Sequence, residues 1–126
     1  MKRIKNILKN IIIFAVLFSY QLLIKIIGFN FCVNSISKDL FNLRIDPKYV
    51  VDSLNSNFFT SLKPSCLAKA LTFKKLVKKP NKFTLIIGVT KINAVFESHA
   101  WVEKDDHIIL NSGPNIEAFK KIFTYE

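Results

Sequence analysis

Glycine, proline, cysteine and histidine are all scarce in this chain. Its 126 residues include three Gly and four Pro, which argues against a repeat array or a disordered linker. No period of roughly 20–50 residues is visible, and no segment is of low complexity. The two cysteines, Cys32 and Cys66, and the two histidines, His99 and His107, do not supply four suitably spaced zinc ligands. The cysteine pair leaves room for one disulfide in an exported protein. There is no Walker-type phosphate loop and no nucleic-acid-binding motif. Metal, ATP and nucleic acid are therefore not expected as cofactors or partners.

Acidic residues are missing from one long stretch. Between Lys63 and Lys91 there are eight lysines and no acid. Residues 1–95 carry sixteen basic and three acidic side chains, a balance of +13, whereas residues 96–126 carry three and six, a balance of −3. Such a field suits an acidic peptide, an acidic protein or an anionic membrane face, and equally a solvated, soluble surface. Half of the residues are hydrophobic and twelve are Phe, so a chain of this length can build one real core.

Charge is also absent from Ile11 to Ile24, fourteen residues preceded by Lys2, Arg3, Lys5 and Lys9 and followed by Lys25. Three readings compete. A spanning helix needs about 20 apolar residues, and Lys25 ends this one early. A signal peptide has the basic head and apolar middle but needs a small-residue cleavage site, which the Gly28-Phe29-Asn30-Phe31 region lacks. The third reading, a helix on the domain core or on a membrane surface that ends near Gly28, is the one favoured.

Further along, Ser35 to Leu43 reads as a short helix, Asp46-Pro47 as a break, and Tyr49 to Leu54 as another turn or two. Lys63-Pro64-Ser65-Cys66 is a helix start, with Ser65 as cap and the helix running to about Lys79 before Pro80. Cys66, Ala70, Phe73 and Val77 share one face, pointing inward. Cys66 then lies in the first turn, where the helix dipole and free N–H groups favour an anion and hence a thiolate. A small buried residue would sit there equally well.

Phe83 to Thr90 is a β-branched run that reads as a central strand. Ala94 to Glu103 alternates. Val95, Glu97, His99, Trp101 and Glu103 point one way, and Phe96, Ser98, Ala100 and Val102 the other. His107 to Leu110 is a third, short strand ending at Asn111-Ser112-Gly113-Pro114. A two-residue turn at Asp105-Asp106 sets Ala100 opposite Asn111. A three-residue turn that includes Lys104 sets His99 opposite Asn111, and the Asn111 amide oxygen then accepts from one imidazole N–H. The other nitrogen would face Cys66, which needs a base to take its proton. A half-buried strand histidine is the plain alternative for His99, and core packing is the plain alternative for Trp101. His107 reads as a surface residue, and Asp105 and Asp106 as solvated turn residues, either of which could replace Asn111 as the orienter in a different register.

Ser65-Cys66-Leu67-Ala68, the Leu85-Ile86-Ile87-Gly88-Val89 strand and Phe96-Glu97-Ser98-His99-Ala100-Trp101-Val102-Glu103 together resemble the transglutaminase-like cysteine peptidases that mature lasso peptides. The likeness is to their short, stand-alone form. It covers roughly residues 60–115, and an apolar amino-terminal helix fits it. The resemblance implies an α+β fold of the transglutaminase/papain type, with amino-terminal helices followed by a catalytic helix packed on a small antiparallel sheet. One domain is expected over 1–126, with the apolar helix at 1–28 and the catalytic core at 60–115. The family's nucleophile falls on Cys66, its base on His99 and its third member on Asn111, where Asp is usual.

The implied activity is removal of the leader from a ribosomally made precursor. The implied partners are the precursor's leader, a precursor-recognition protein and an asparagine-synthetase-like cyclase. The implied setting is the cytoplasm, with membrane-surface contact through residues 1–27. Two other readings stand beside it: a non-enzymatic, small basic membrane-associated protein, and a transglutaminase-like acyl transferase on another substrate.

Overall fold

Lys2–Ile26 forms one continuous helix, α1. It runs well past the charge-free stretch because Lys, Asn and Ile are tolerated in its first turns. Gly28, at φ +101°, turns the chain, and its N–H caps the Leu23 carbonyl at 3.1 Å. The computed structural model describes residues 2–26, 28, 44–113 and 116–125. The expected helix at Ser35–Leu43, the Gly28–Phe31 cleavage region beyond Gly28, Cys32 and Pro114 lie outside the described residues.

Among the described residues, three further α-helices follow: α2 (Pro47–Leu54), α3 (Asn57–Ser61) and α4 (Cys66–Leu76). Pro47 opens α2 rather than only breaking the chain, since its fixed φ suits a first helical position. α4 is buried along almost its whole length. Ala68, Ala70, Leu71, Phe73 and Leu76 are all in the core, and the helix packs against α1, α2 and the first two strands of the sheet. Its buried polar groups are satisfied. The Thr72 hydroxyl donates to the Ala68 carbonyl, and the Lys74 ammonium donates to the carbonyls of Pro80 and Phe83 at 2.8 and 2.7 Å. Lys74 thereby ties the end of α4 to the start of the sheet.

α4 stops at Leu76, short of the expected Lys79. Ile45 competes for the backbone there. Its N–H donates to Leu76 O at 2.6 Å, its carbonyl accepts from Lys78 N–H at 3.0 Å, and Val77 becomes extended in a parallel bridge to Ile45. A β-branched residue at the exit suits that conformation.

The sheet has four antiparallel strands in the order β3-β2-β1-β4, with β1 at Thr84–Ile92, β2 at Val95–Lys104, β3 at His107–Leu110 and β4 at Lys120–Tyr125. The first three match the expected strands within two residues. β4 was not expected. It pairs with β1 and adds Phe123 and Tyr125 to the core. One face of the sheet carries Leu85, Ala100, Val102 and Leu110 into the cluster shared with α4. The other carries Ile86, Gly88, His99 and Trp101, with Ile86 opposite Trp101 and Gly88 opposite His99. The alternation read from Ala94–Glu103 is the one observed.

α1 buries Ile13, Leu17 and Tyr20, spaced at helical intervals. Each such side chain contributes about 1.5–3 kcal/mol relative to exposure. Among the described residues, one helix, over Arg3–Ile26, is long and apolar enough to cross a membrane by length and composition.

Gly88 sets the tightest contact on the second face. A Cβ there would lie 2.8 Å from Trp101 Cη2 and 2.9 Å from Phe119 Cβ. Gly88→Ala is expected to destabilise the protein by about 1–3 kcal/mol through overpacking. Denaturant unfolding checks this, and an unchanged midpoint would refute it.

Candidate functional site

The site is built where the tip of α4 meets an open edge of β2. Pro64 and Ser65 start α4. The Ser65 hydroxyl accepts from Ala68 N–H at 3.1 Å, the expected cap. Both the Ser65 N–H and its hydroxyl donate to Gln21 Oε1, at 3.1 and 3.0 Å. α1 therefore fixes the position of the cap, and the cap fixes Cys66.

β3 pairs with β2 only as far as Val102–Leu110. Beyond it, the N–H and C=O of Ala100 point to the same side, as they must in an antiparallel strand, and find no strand there. The Cys66 sulfur accepts from Ala100 N–H at 3.4 Å. The Asn111 side-chain amide donates to Ala100 O at 3.0 Å and to Cys66 O at 2.8 Å. Ala100 N belongs to the peptide bond that follows His99, so thiol and imidazole come from adjoining parts of one junction. No hydrogen bond joins the Cys66 sulfur to the His99 ring among the described residues; the sulfur is held by the Ala100 backbone. Cys66 is half-buried.

The role expected of the Asn111 side chain falls instead to its backbone. His99 Nε2 lies 2.6 Å from the Asn111 carbonyl oxygen. A carbonyl can only accept, so Nε2 carries the proton and the Nδ1 lone pair is left free. The register explains the exchange. Asp105 and Asp106 form a two-residue turn, both at positive φ (52° and 64°), the geometry that suits the twist of a hairpin. Lys104 pairs with His107 and Glu103 with Ile108, but Val102 pairs with Leu110, because one extra residue bulges in β3. Neither register expected for Asn111 is formed. Asn111 then takes a left-handed conformation, φ 63°, which Asn tolerates better than most residues. That turn swings its carbonyl toward the imidazole and its amide toward α4.

The imidazole is walled by aromatics. Its centroid lies 6.0 Å from the Trp101 ring in a stacked arrangement and 5.8 Å from Phe119. Trp101 is buried, and its indole N–H donates to Glu103 Oε1 at 2.9 Å. Glu103 also meets Lys121 at 3.4 Å. Gly113 lies beside the ring, where an added Cβ would stand 3.9 Å from His99 Nε2. His107 is exposed at the start of β3 and joins none of this. Sequence reasoning missed Gln21, Phe119 and the Ala100 N–H. Of these only Phe119 carries a local signal, as an aromatic next to a strand.

The profile of the transglutaminase-like superfamily matches residues 48–124. The chain belongs to the transglutaminase-like superfamily. That superfamily includes cysteine peptidases and acyl transferases, and the helices and four-stranded antiparallel sheet described above fit its α+β architecture. No curated protein and no solved structure matches the chain. The matched span holds Cys66, His99 and Asn111, and it excludes α1, which the transglutaminase-like core uses here as a brace. Among the described residues, no group of three or more His, Cys, Asp or Glu could hold a metal ion.

Asn111→Asp removes both amide donors and sets a carboxylate against two carbonyl oxygens. It is expected to lower stability by about 1–3 kcal/mol. Unfolding of Asn111→Asp beside Asn111→Gly checks this. A more stable Asp variant would show that the side chain faces the imidazole after all.

Proposed function

We propose that this protein is a cysteine peptidase that removes the leader from a ribosomally synthesised lasso-peptide precursor. The observation that carries the reading is the Nε2–H···O=C bond from His99 to Asn111. It fixes one tautomer and leaves the Nδ1 lone pair available at the junction that also holds the Cys66 thiol. His99 Nδ1 takes the thiol proton, and the sulfur attacks the last carbonyl of the leader. The tetrahedral oxyanion draws on backbone N–H groups at the start of α4. Collapse breaks the C–N bond as imidazolium protonates the departing amine. Water, deprotonated by His99, then hydrolyses the thioester and frees the leader as a carboxylate. Asn111 is a positioning residue, acting on the ring through its carbonyl and on Cys66 through its amide.

The partners in this reading are the leader, a recognition protein that presents it and an asparagine-synthetase-like cyclase that closes the ring. One catalytic domain over 1–126, with its core at 60–115, does the cutting in the cytoplasm. The lysine-rich, acid-free span from Lys63 to Lys91 supports an acidic leader as the ligand. A transglutaminase-like acyl transferase would use the same thioester and pass the acyl group to an amine instead of water. The product tells the two apart.

The test mixes the purified protein, precursor and recognition protein and follows leader release by mass spectrometry. Wild type is expected to yield leader with a free carboxylate. Cys66→Ala is expected to release none while still folding, and His99→Ala to lose about 10²-fold or more in rate. Leader release by Cys66→Ala would end the proposal, and an amide-linked product would move it to acyl transfer.

A further inference from the structure

α1 has two apolar faces, and the domain uses one. Ile13, Leu17 and Tyr20 are buried in the core it shares with α4. Around the far side, Ile4, Leu8, Ile11, Phe18, Leu22 and Ile26 are all exposed. They follow one another at three- or four-residue steps, with one seven-residue gap that Phe14 fills, so they form one stripe along the helix. Exposed Phe58 and Leu62 lie in and just after α3, and the Phe14 and Phe58 rings are 6.3 Å apart. A groove of about 660 Å³ between α1 and the α2–α3 pair, lined by Ile7, Ile11, Phe14, Tyr49, Phe58 and Phe59 among others, opens onto the same side. Contiguous apolar surface of this extent marks a binding face.

Charge selects the occupant. α1 bears Lys2, Arg3, Lys5, Lys9 and Lys25 and no acid, and the chain is at +10 overall. Exposed Arg3 and Lys25 stand at the two ends of the stripe, and exposed Lys5 lies near its start, while Lys9 lies over the Tyr49 ring at 5.0 Å. A second copy meeting this face with its own would bring two sets of five cations together. An anionic bilayer attracts them and accepts the stripe.

We infer that this protein docks on anionic membrane surfaces through the outer face of α1, with the helix lying in the plane of the interface. Crossing the bilayer is incompatible with how α1 is fixed. Asn10 Oδ1 accepts from the Tyr49 and Ser53 hydroxyls at 3.0 and 3.3 Å, and Gln21 accepts from Ser65. A spanning helix would take these groups and the cover of α4 away from the domain. An in-plane helix keeps every one of those bonds and buries only the stripe. Docking in this way leaves the Cys66 junction attached to a braced α1.

Vesicle flotation of the full chain tests this, using phosphatidylcholine alone and phosphatidylcholine with roughly one-third phosphatidylserine. Binding to the anionic vesicles is expected to be about tenfold tighter or more and to weaken with salt. The double variant Phe18→Asp, Leu22→Asp is expected to lose at least about tenfold in binding with an unchanged melt, because both side chains are exposed. Arg3→Gln, Lys25→Gln is expected to weaken binding to the anionic vesicles by a smaller factor with an unchanged melt, because both side chains are exposed. Cys66→Ala should float like wild type, which keeps this test separate from the peptidase reading. Alkaline carbonate should strip the protein from the vesicles. Failure of wild type to float, binding indifferent to phosphatidylserine, carbonate-resistant retention, or a solution dimer abolished by Phe18→Asp, Leu22→Asp would each overturn the inference.

Discussion

Asn111 holds two parts of the molecule together with one residue. Its left-handed backbone ends β3, sends its carbonyl to the His99 ring and sends its amide to the carbonyls of Cys66 and Ala100. Without that turn, β3 would continue along β2, and Ala100 would spend its N–H on a strand partner. The Cys66 sulfur would then have no place at the sheet edge. The arrangement is a trade between ladder hydrogen bonds and a junction. The polar groups freed from the ladder are all taken up by the thiol and by one side-chain amide, so the buried edge is not left unsatisfied.

The same logic runs back along the chain. The start of α4 is placed by Ser65, Ser65 by Gln21, and Gln21 by the packing of Ile13, Leu17 and Tyr20. At the other end of α4, Lys74 and the Ile45–Val77 bridge lock the exit. A helix fixed at both ends and buried along its length makes a rigid platform. α1 therefore does two things. Its inner face sets the site, and its outer face is free for a surface.

Much of this was legible in the sequence. Pro64-Ser65 announced a helix start, and the alternation from Val95 to Glu103 put His99 and Trp101 on one side of a strand. The charge-free stretch announced α1. What could not be read was decided by residues distant in sequence. The end of α4 moved because Ile45, thirty-one residues before Leu76, pairs with Val77. β4 is a short run whose strand character depends on β1 being available beside it. The bulge in β3 shifted the register by one residue, and no turn signal encodes it, since Asp105-Asp106 forms its two-residue turn either way. Asn111 lies beside His99, but through its backbone carbonyl and not through the side chain that the residue type suggested.

The proposed function rests on one central claim, that Cys66 is a nucleophile served by His99. The rate of alkylation of Cys66 at about pH 6, in a Cys32→Ser background that leaves a single thiol, addresses it most directly. The account predicts a rate about tenfold or more above that of free cysteine, falling to the free value in His99→Ala. A wild-type rate at or below that of free cysteine would contradict it and leave Cys66 as a packing residue.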